Sequence, residues 1–412
     1  MNPPTIDGKR LIDSLALMAQ VGATEKGGVR RIAATDEDRE GRDLLVTWAE
    51  QEGCKISIDQ IGNLFCRLAG QSNGLDPVLI GSHLDSQPTG GKYDGAYGVL
   101  AALETIRALN QNKIRTLRPI ELVSWTNEEG SRFAPAMMGS GVFAGALTLS
   151  EALDSQDTRG LTLGNSLASI GYNGTTPCGD RTIYAYFEAH IEQGPILESE
   201  HKTIGVVEGI QGIRWFNCTL KGTEAHAGST PMSARRDALI GAANFIGRIN
   251  KIAMEHAPDG RATVGEFQLY PNSRNVIPGW VHFTVDMRHP ASEILSEMAV
   301  GMATTFKAVC AGSGLEGKLE EIWYSPPTSF DSVCVDLVER TAHSRGYTSQ
   351  RITSGAGHDA KYMANICPTA MIFIPCKDGL SHNELEDAED DHLIAGGQVL
   401  LDAAFEKAME PE

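Results

Sequence analysis

The sequence predicts an α/β protein: a mixed, mostly parallel sheet flanked by helices, with a second α+β unit inserted into it. Three observations point there. Short apolar runs recur along the chain, each followed by polar residues and glycine, as buried strands are. Stretches with apolar residues at helical spacing separate them, and strand, helix, strand at that distance makes a parallel βαβ unit. At 412 residues the chain also exceeds what one hydrophobic core usually supports.

The first run, "PVLIGSHLDS" (77–86), is followed by the helix-like "DGAYGVLAALETIRAL" (94–109) and by a second run, "PIELVSWTNEEG" (119–130). A third is "TIYAYFEAHIEQG" (182–194), and the last, "PTAMIFIPCKDGLSHNE" (368–384), follows a helix in "FDSVCVDLVERTAHSRGY". From about 210 to 328 the pattern changes. There "IRWFNCTLKGTEAHAG" alternates, "SARRDALIGAANFIGRINKIA" is helical, "VGEFQLYPNSRNVIPGWVHFTVDMRHP" is strand-like and "ASEILSEMAVGMATTFKAVCAGSG" is helical again. The expectation is a discontinuous domain, residues 1–209 and 329–412, with residues 210–328 inserted as a small α+β sandwich. Flanking "GIQG" (209–212) and "SPPTS" (325–329) suit linkers or hinges.

The bulk chemistry excludes some partners. A net charge of −18 argues against nucleic acid and against an anionic membrane surface, and an anionic substrate would need a local cationic anchor. No stretch reaches the roughly 18 uninterrupted apolar residues of a membrane span. The opening "MNPPTIDGKRLIDSL" lacks the basic-then-apolar order of a signal peptide. Eight cysteines without CxxC read as reduced thiols of a cytoplasmic protein.

Polar residues gather just past the C-terminal ends of the apolar runs, the edge where open α/β sheets bind ligands. They are His83, Asp85, Asp94, Glu128, Glu129, His190 and His382. Imidazoles and carboxylates without a thiolate suit a hydrolytic centre for zinc or a similar divalent ion. His83 and Asp85, two apart, share one face of an extended chain, so the Asp85 carboxylate is expected to take the far ring N–H of His83. Asp94 stands where a helix begins; it is either an N-cap or a carboxylate that bridges two cations, and the glycines before it free the loop to approach a ligand. No phosphate-cradling GxGxxG or GxxxxGK[ST] is present. Adjacent Glu128 and Glu129 diverge in direction, so one can hold a cation while its neighbour takes a proton from the water that cation acidifies.

The motifs "GSHLDS", "GGKYDG", "TNEEGSRF", "HIEQGP", "EAHAGSTPM", "RRDAL", "SRNVIPG", "DMRHP", "SGAGHDA" and "DGLSHNE" together resemble the hydantoinase/carbamoylase branch of the M20-type binuclear metallohydrolases. The resemblance spans nearly the whole chain. It implies two divalent metal ions per subunit, zinc foremost, with manganese, cobalt or nickel accepted by the same ligands. Asp94 would bridge them, His83 and His190 would complete one site, and Glu129 and His382 the other. Glu128 would be the general base and Asp85 the partner of His83. In the inserted domain, His226 would stabilise the tetrahedral intermediate, while Asn275 and Arg288 would hold the substrate's polar groups and carboxylate. Gln193 and Gly357 would line the pocket. The branch acts on N-carbamoyl amino acids (α or β) or on allantoate, other M20 members on dipeptides, and in relatives the inserted domain is a lid that also forms a homodimer.

Overall fold

The computed structural model describes residues 4–179 and 181–411. They form two compact units, one ending at Gly209 and resuming at Ser329, the other Ile210–Thr328.

The first unit is built on a nine-stranded sheet. Its centre runs Ile120–Trp125, Val78–His83, Ala185–Ile191, Thr369–Ile374, each parallel to the next. These are the four apolar runs of the sequence. Every residue in them is buried, which is why they read as continuous hydrophobic stretches and not as alternation. The helix Ala96–Gln111 connects Val78–His83 to Ile120–Trp125 and packs on the C-terminal helix Asp390–Ala408. Antiparallel strands make the sheet mixed: Leu64–Leu68 beside Ile120–Trp125, and Ile204–Ile210 beside Thr369–Ile374.

Chain order reverses at Val78–His83. Its crossover helix leads to one neighbour, Ile120–Trp125, while Ala185–Ile191 lies on the other side. Such a switch point opens a crevice beyond the C-terminal strand ends. Val78 pairs with Ala185 and Ile80 with Phe187, and that register carried forward sets His83 level with His190.

The second unit is an antiparallel sheet ordered Phe267–Tyr270, Trp280–His289, Gly212–Lys221, Glu316–Ser325, with Arg261–Thr263 also paired to Trp280–His289. Trp280–His289 alternates in burial along its whole length. Val281, Phe283, Val285 and Met287 join the helices Ala238–Glu255 and Ser292–Ser313 in one core, so Asp286 and Arg288 lie on the opposite face. Ser292–Ser313 has the length and apolarity of a membrane-crossing helix, but it turns Leu295, Met298, Met302 and Phe306 into that core.

Local chemistry sets two boundaries differently from the sequence pattern. The helix expected from "SARRDALIG" starts at Ala238, because the Asp237 side chain accepts from the backbone of Leu239 and Ile240 and caps it there. The strand-like stretch that contains Arg288 is divided into Phe267–Tyr270, Val276–Ile277 and Trp280–His289, with Pro271 and Pro278 in the breaks, since proline cannot donate to a ladder.

Candidate metal centre

Each candidate ligand in the first unit hangs from a strand end or the loop behind it. His83 closes Val78–His83, and His190 stands one residue before the end of Ala185–Ile191. The imidazole rings lie 5.9 Å apart. In both, Nδ1 is engaged by a backbone carbonyl: Asp85 O at 2.9 Å for His83, Ile191 O at 2.9 Å for His190. That contact makes Nδ1 the protonated nitrogen and turns the Nε2 lone pair toward the centre, where that of His190 also accepts from the Gly95 N–H at 3.2 Å.

Both Nε2 atoms face Asp94. Its Oδ1 lies 3.6 Å from His83 Nε2 and 3.2 Å from His190 Nε2. Its Oδ2 lies 3.4 Å from His382 Nε2, and that same nitrogen is 3.3 Å from Glu129 Oε2. Asp94 is therefore no N-cap. The helix is capped by Gly95, which makes no side-chain cap bond. A Cβ on Gly95, at φ 64°, would stand 2.4 Å from the His83 ring. Glycine is needed there to let the ring lie against the loop.

The Asp85 carboxylate does not take the ring N–H of His83 as expected. The backbone carbonyl of Asp85 does, and the carboxylate reaches across to the next strand end, where its oxygens accept from the N–H of Glu128 (3.1 Å) and Glu129 (3.2 Å). Asp85 therefore fixes His83 through its main chain and the glutamate turn through its side chain.

That turn lies beyond Ile120–Trp125 and includes Asn127 at φ 54°. From it the two glutamates diverge. Glu128 Oε2 sits 3.5 Å from His83 Nε2, whereas Glu129 Oε2 goes to His382 and accepts from Gln87 Nε2 at 2.7 Å. Each glutamate has its own neighbours.

Two groups of three follow, His83–Asp94–His190 and Asp94–Glu129–His382, with the ligand atoms of each within 4.8 Å of one another and Asp94 common to both. The electrostatics ask for cations. Burial, then the charges of Asp359, Glu129, Asp85 and Asp94, push Glu128 well above the carboxylate range. Burial, then Asp94 and Asp85, do the same to Glu129. Burial opposes a charged His190, yet the Asp94 carboxylate outweighs it and raises the imidazole's proton affinity; burial holds His83 down to about 4. A centre of buried like charges that holds a proton this way satisfies the same demand with divalent cations. The residues present fit them.

Comparison with known proteins narrows the reading. Residues 79–406 match peptidase family M20/M25/M40. An N-carbamoyl-L-amino-acid amidohydrolase of Rhizobium meliloti is 45% identical over 98% of this chain and 97% of its own. The chain belongs to this peptidase family, in its hydantoinase/carbamoylase branch. An allantoate amidohydrolase of Bacillus subtilis is 33% identical over 97% of both chains. A crystal structure of an amidase of the hydantoinase/carbamoylase family from Burkholderia multivorans superposes with a TM-score of 0.97 at 55% identity, covering 99% of each chain.

Further residues of this M20 chain are placed as follows. Gln193, at φ 59°, donates from Nε2 to Asp94 Oδ2 at 2.9 Å, while its Oε1 is buried with no hydrogen-bond partner. Gly357 lies in the loop after Ser349–Ser354, where a Cβ would press on Met137 Cε at 3.1 Å. In the second unit His226 and Asn275 are neighbours: His226 pairs with Val276 in a two-stranded ribbon, and Ala227 donates to the Asn275 carbonyl. His226 Nδ1 accepts from the N–H of Gly228 and Ser229, which puts the ring proton on Nε2. Arg288 donates from Nε and an Nη to Asp286.

The sequence reading passed over His358, Asp359 and Glu188. The His358 ring meets the edge of His190 at 4.5 Å. Beneath, the Glu188 carboxylate accepts from Ser82 Oγ, Tyr186 OH and the Ala360 N–H, and Asp359 accepts from Ser140 Oγ. Glu188 did leave a signal: a carboxylate inside the apolar run "AYFEAHI" must be satisfied by something buried.

Proposed function

We propose that this enzyme hydrolyses the ureido C–N bond of N-carbamoyl amino acids, giving the amino acid, carbon dioxide and ammonia, at a centre that binds two divalent metal ions. The observation that supports it best is the pair of ligand groups sharing Asp94, with the Glu128 carboxylate set against them and in neither. The amidohydrolase at 45% identity supports the substrate class.

Cations held by His83, His190, Asp94, Glu129 and His382 would supply Lewis acidity, lowering a water's pKa and polarising the ureido carbonyl. Zinc suits the ligands best, and manganese, cobalt or nickel would also serve. The rest falls to side chains. Glu128 takes the water proton as the C–O bond forms, then passes it to the leaving NH2 nitrogen as that C–N bond breaks and ammonia departs; the carbamate left on the amino acid nitrogen then loses carbon dioxide. The unpaired Oε1 of Gln193 accepts from the ureido NH2. His226 donates from Nε2 to the developing oxyanion and Asn275 holds the ureido group beside it. Arg288 grips the carboxylate, with Asp286 holding the guanidinium fork in one plane. The second unit acts in this reading as the lid and as the contact of a homodimer, and the eight free thiols support a cytoplasmic setting.

Allantoate, a di-ureido acid, is the second reading, supported by the Bacillus subtilis relative. Ammonia release by metal-loaded protein decides between them, measured on N-carbamoyl-L-α-amino acids, N-carbamoyl-β-alanine and allantoate, with free amino acid followed instead for a dipeptide control. Release from the carbamoyl acids is the expected result; release from allantoate alone transfers the same residues to the second reading, and cleavage of the dipeptide alone refutes both.

Arg288→Ala tests the carboxylate anchor. A hydrogen bond to a charged group contributes about 1.5–3 kcal/mol, so KM is expected to rise about 10- to 100-fold with kcat changed less. An N-carbamoyl amino acid amide, which lacks the carboxylate, should show no such difference between variant and wild type. Equal loss on both compounds would remove the role.

A further inference from the structure

Glu386 is buried four residues past His382, and no step above uses it. Its Oε1 accepts from the backbone N–H of Tyr93 at 2.9 Å and of Asp94 at 3.1 Å. Its Oε2 is 2.9 Å from Ser381 Oγ, which also lies 3.0 Å from Asp94 Oδ2. One carboxylate thus joins the loop that presents Asp94 to the loop that presents His382, across 292 residues of sequence.

Gly91 makes room for it. A Cβ at that position would stand 1.9–2.2 Å from the Glu386 carboxyl group, an overlap that only displacement of the carboxylate could relieve. Gly91, one of the glycines before Asp94 read from sequence as freeing the loop to approach a ligand, is also the floor on which this acid rests.

We propose that Glu386 is a positioning residue for the metal pair: it sets the main chain of Asp94 and, through Ser381, the adjoining His382, so that the shared carboxylate faces both ligand groups. The inference rests on the binuclear reading of the site. His382 depends on this tie most. It is half exposed and held at φ 52°, whereas His83 and His190 sit on buried strands. Residues that orient a metal ligand typically contribute about 10- to 100-fold to metal affinity.

The test is cobalt binding to the purified full-length protein, followed by its visible spectrum and by competition with a chelator. Glu386→Ala should weaken the second cobalt by about 10- to 100-fold and the first by less. Gly91→Ala, which leaves Glu386 in the sequence but denies it its place, should give the same pattern. Glu386→Gln retains an acceptor for both N–H groups and a polar partner for Ser381, so it should lie nearer wild type than Glu386→Ala. Melting of the metal-free proteins separates these effects from loss of fold; if a variant does not fold, the other alanine variant carries the test. Both metals retained at wild-type affinity in folded Glu386→Ala or Gly91→Ala would overturn the proposal, as would a glutamine variant as weak as alanine. Fewer than two cobalt ions in the wild type would instead refute the binuclear reading, and the proposal with it.

Discussion

Glu128→Gln is expected to lower kcat by about 10²- to 10⁴-fold, the range general acid–base catalysis supplies, while both metals stay bound. The glutamine keeps the volume and the backbone contact to Asp85, but its amide cannot take a proton from water. Glu128 belongs to neither ligand group, so metal content should match wild type, and substrate KM should move little because ground-state contacts survive. The measurement pairs steady-state ammonia release with metal analysis of the same sample. A variant within about tenfold of wild-type kcat would fall below the smallest effect expected of a general base and remove that role. Loss of metal from this variant would instead make Glu128 a ligand and leave the proton without a carrier.

Why Glu128 and not its neighbour should have this effect was only partly legible in the sequence. The central strands were, because burial on both faces turns them into apolar runs that no other arrangement explains as simply. The place of the candidate ligands at strand ends was legible for the same reason: a polar residue closing a buried strand stands out. Direction was not. Asp85 was expected to reach His83 with its carboxylate, from a two-residue spacing that holds only while the chain stays extended. Past His83 the strand has ended, and the carboxylate crosses to the glutamate turn. Asp94 could equally have been a cap until Gly95 was seen to hold that position. Glu386 was invisible because its partners, Tyr93 and Asp94, lie at the other end of the chain. Nor could the local pattern show that Gly91 is small for the sake of an acid so distant in sequence. Contacts of this kind belong to the fold and leave no periodicity behind.

Asp94→Ala is expected to have the largest effect of any single change: both metals lost, and turnover reduced by about 10⁴-fold or more, since a water that no cation acidifies returns toward a pKa of about 15.7 from about 7. The reason is the sharing. Asp94 offers Oδ1 to the His83–His190 group and Oδ2 to the Glu129–His382 group, so one substitution removes a ligand from each. His382→Ala provides the contrast. It leaves His83, Asp94 and His190 untouched, and one metal should remain. If the ions occupied independent sites, Asp94→Ala would spare one of them, and metal analysis would find a single ion in both variants. Folding gives a second readout that needs no substrate. A metal that binds the native state raises its apparent stability by mass action, about 2.7 kcal/mol at a free concentration a hundred times Kd. Added metal should therefore raise the Tm of wild type strongly, of His382→Ala partly, and of Asp94→Ala hardly at all. Melting of the metal-free proteins gives the baseline from which each of these shifts is read. A metal-dependent Tm shift in Asp94→Ala as large as in wild type would mean that the carboxylate does not join the two ligand groups.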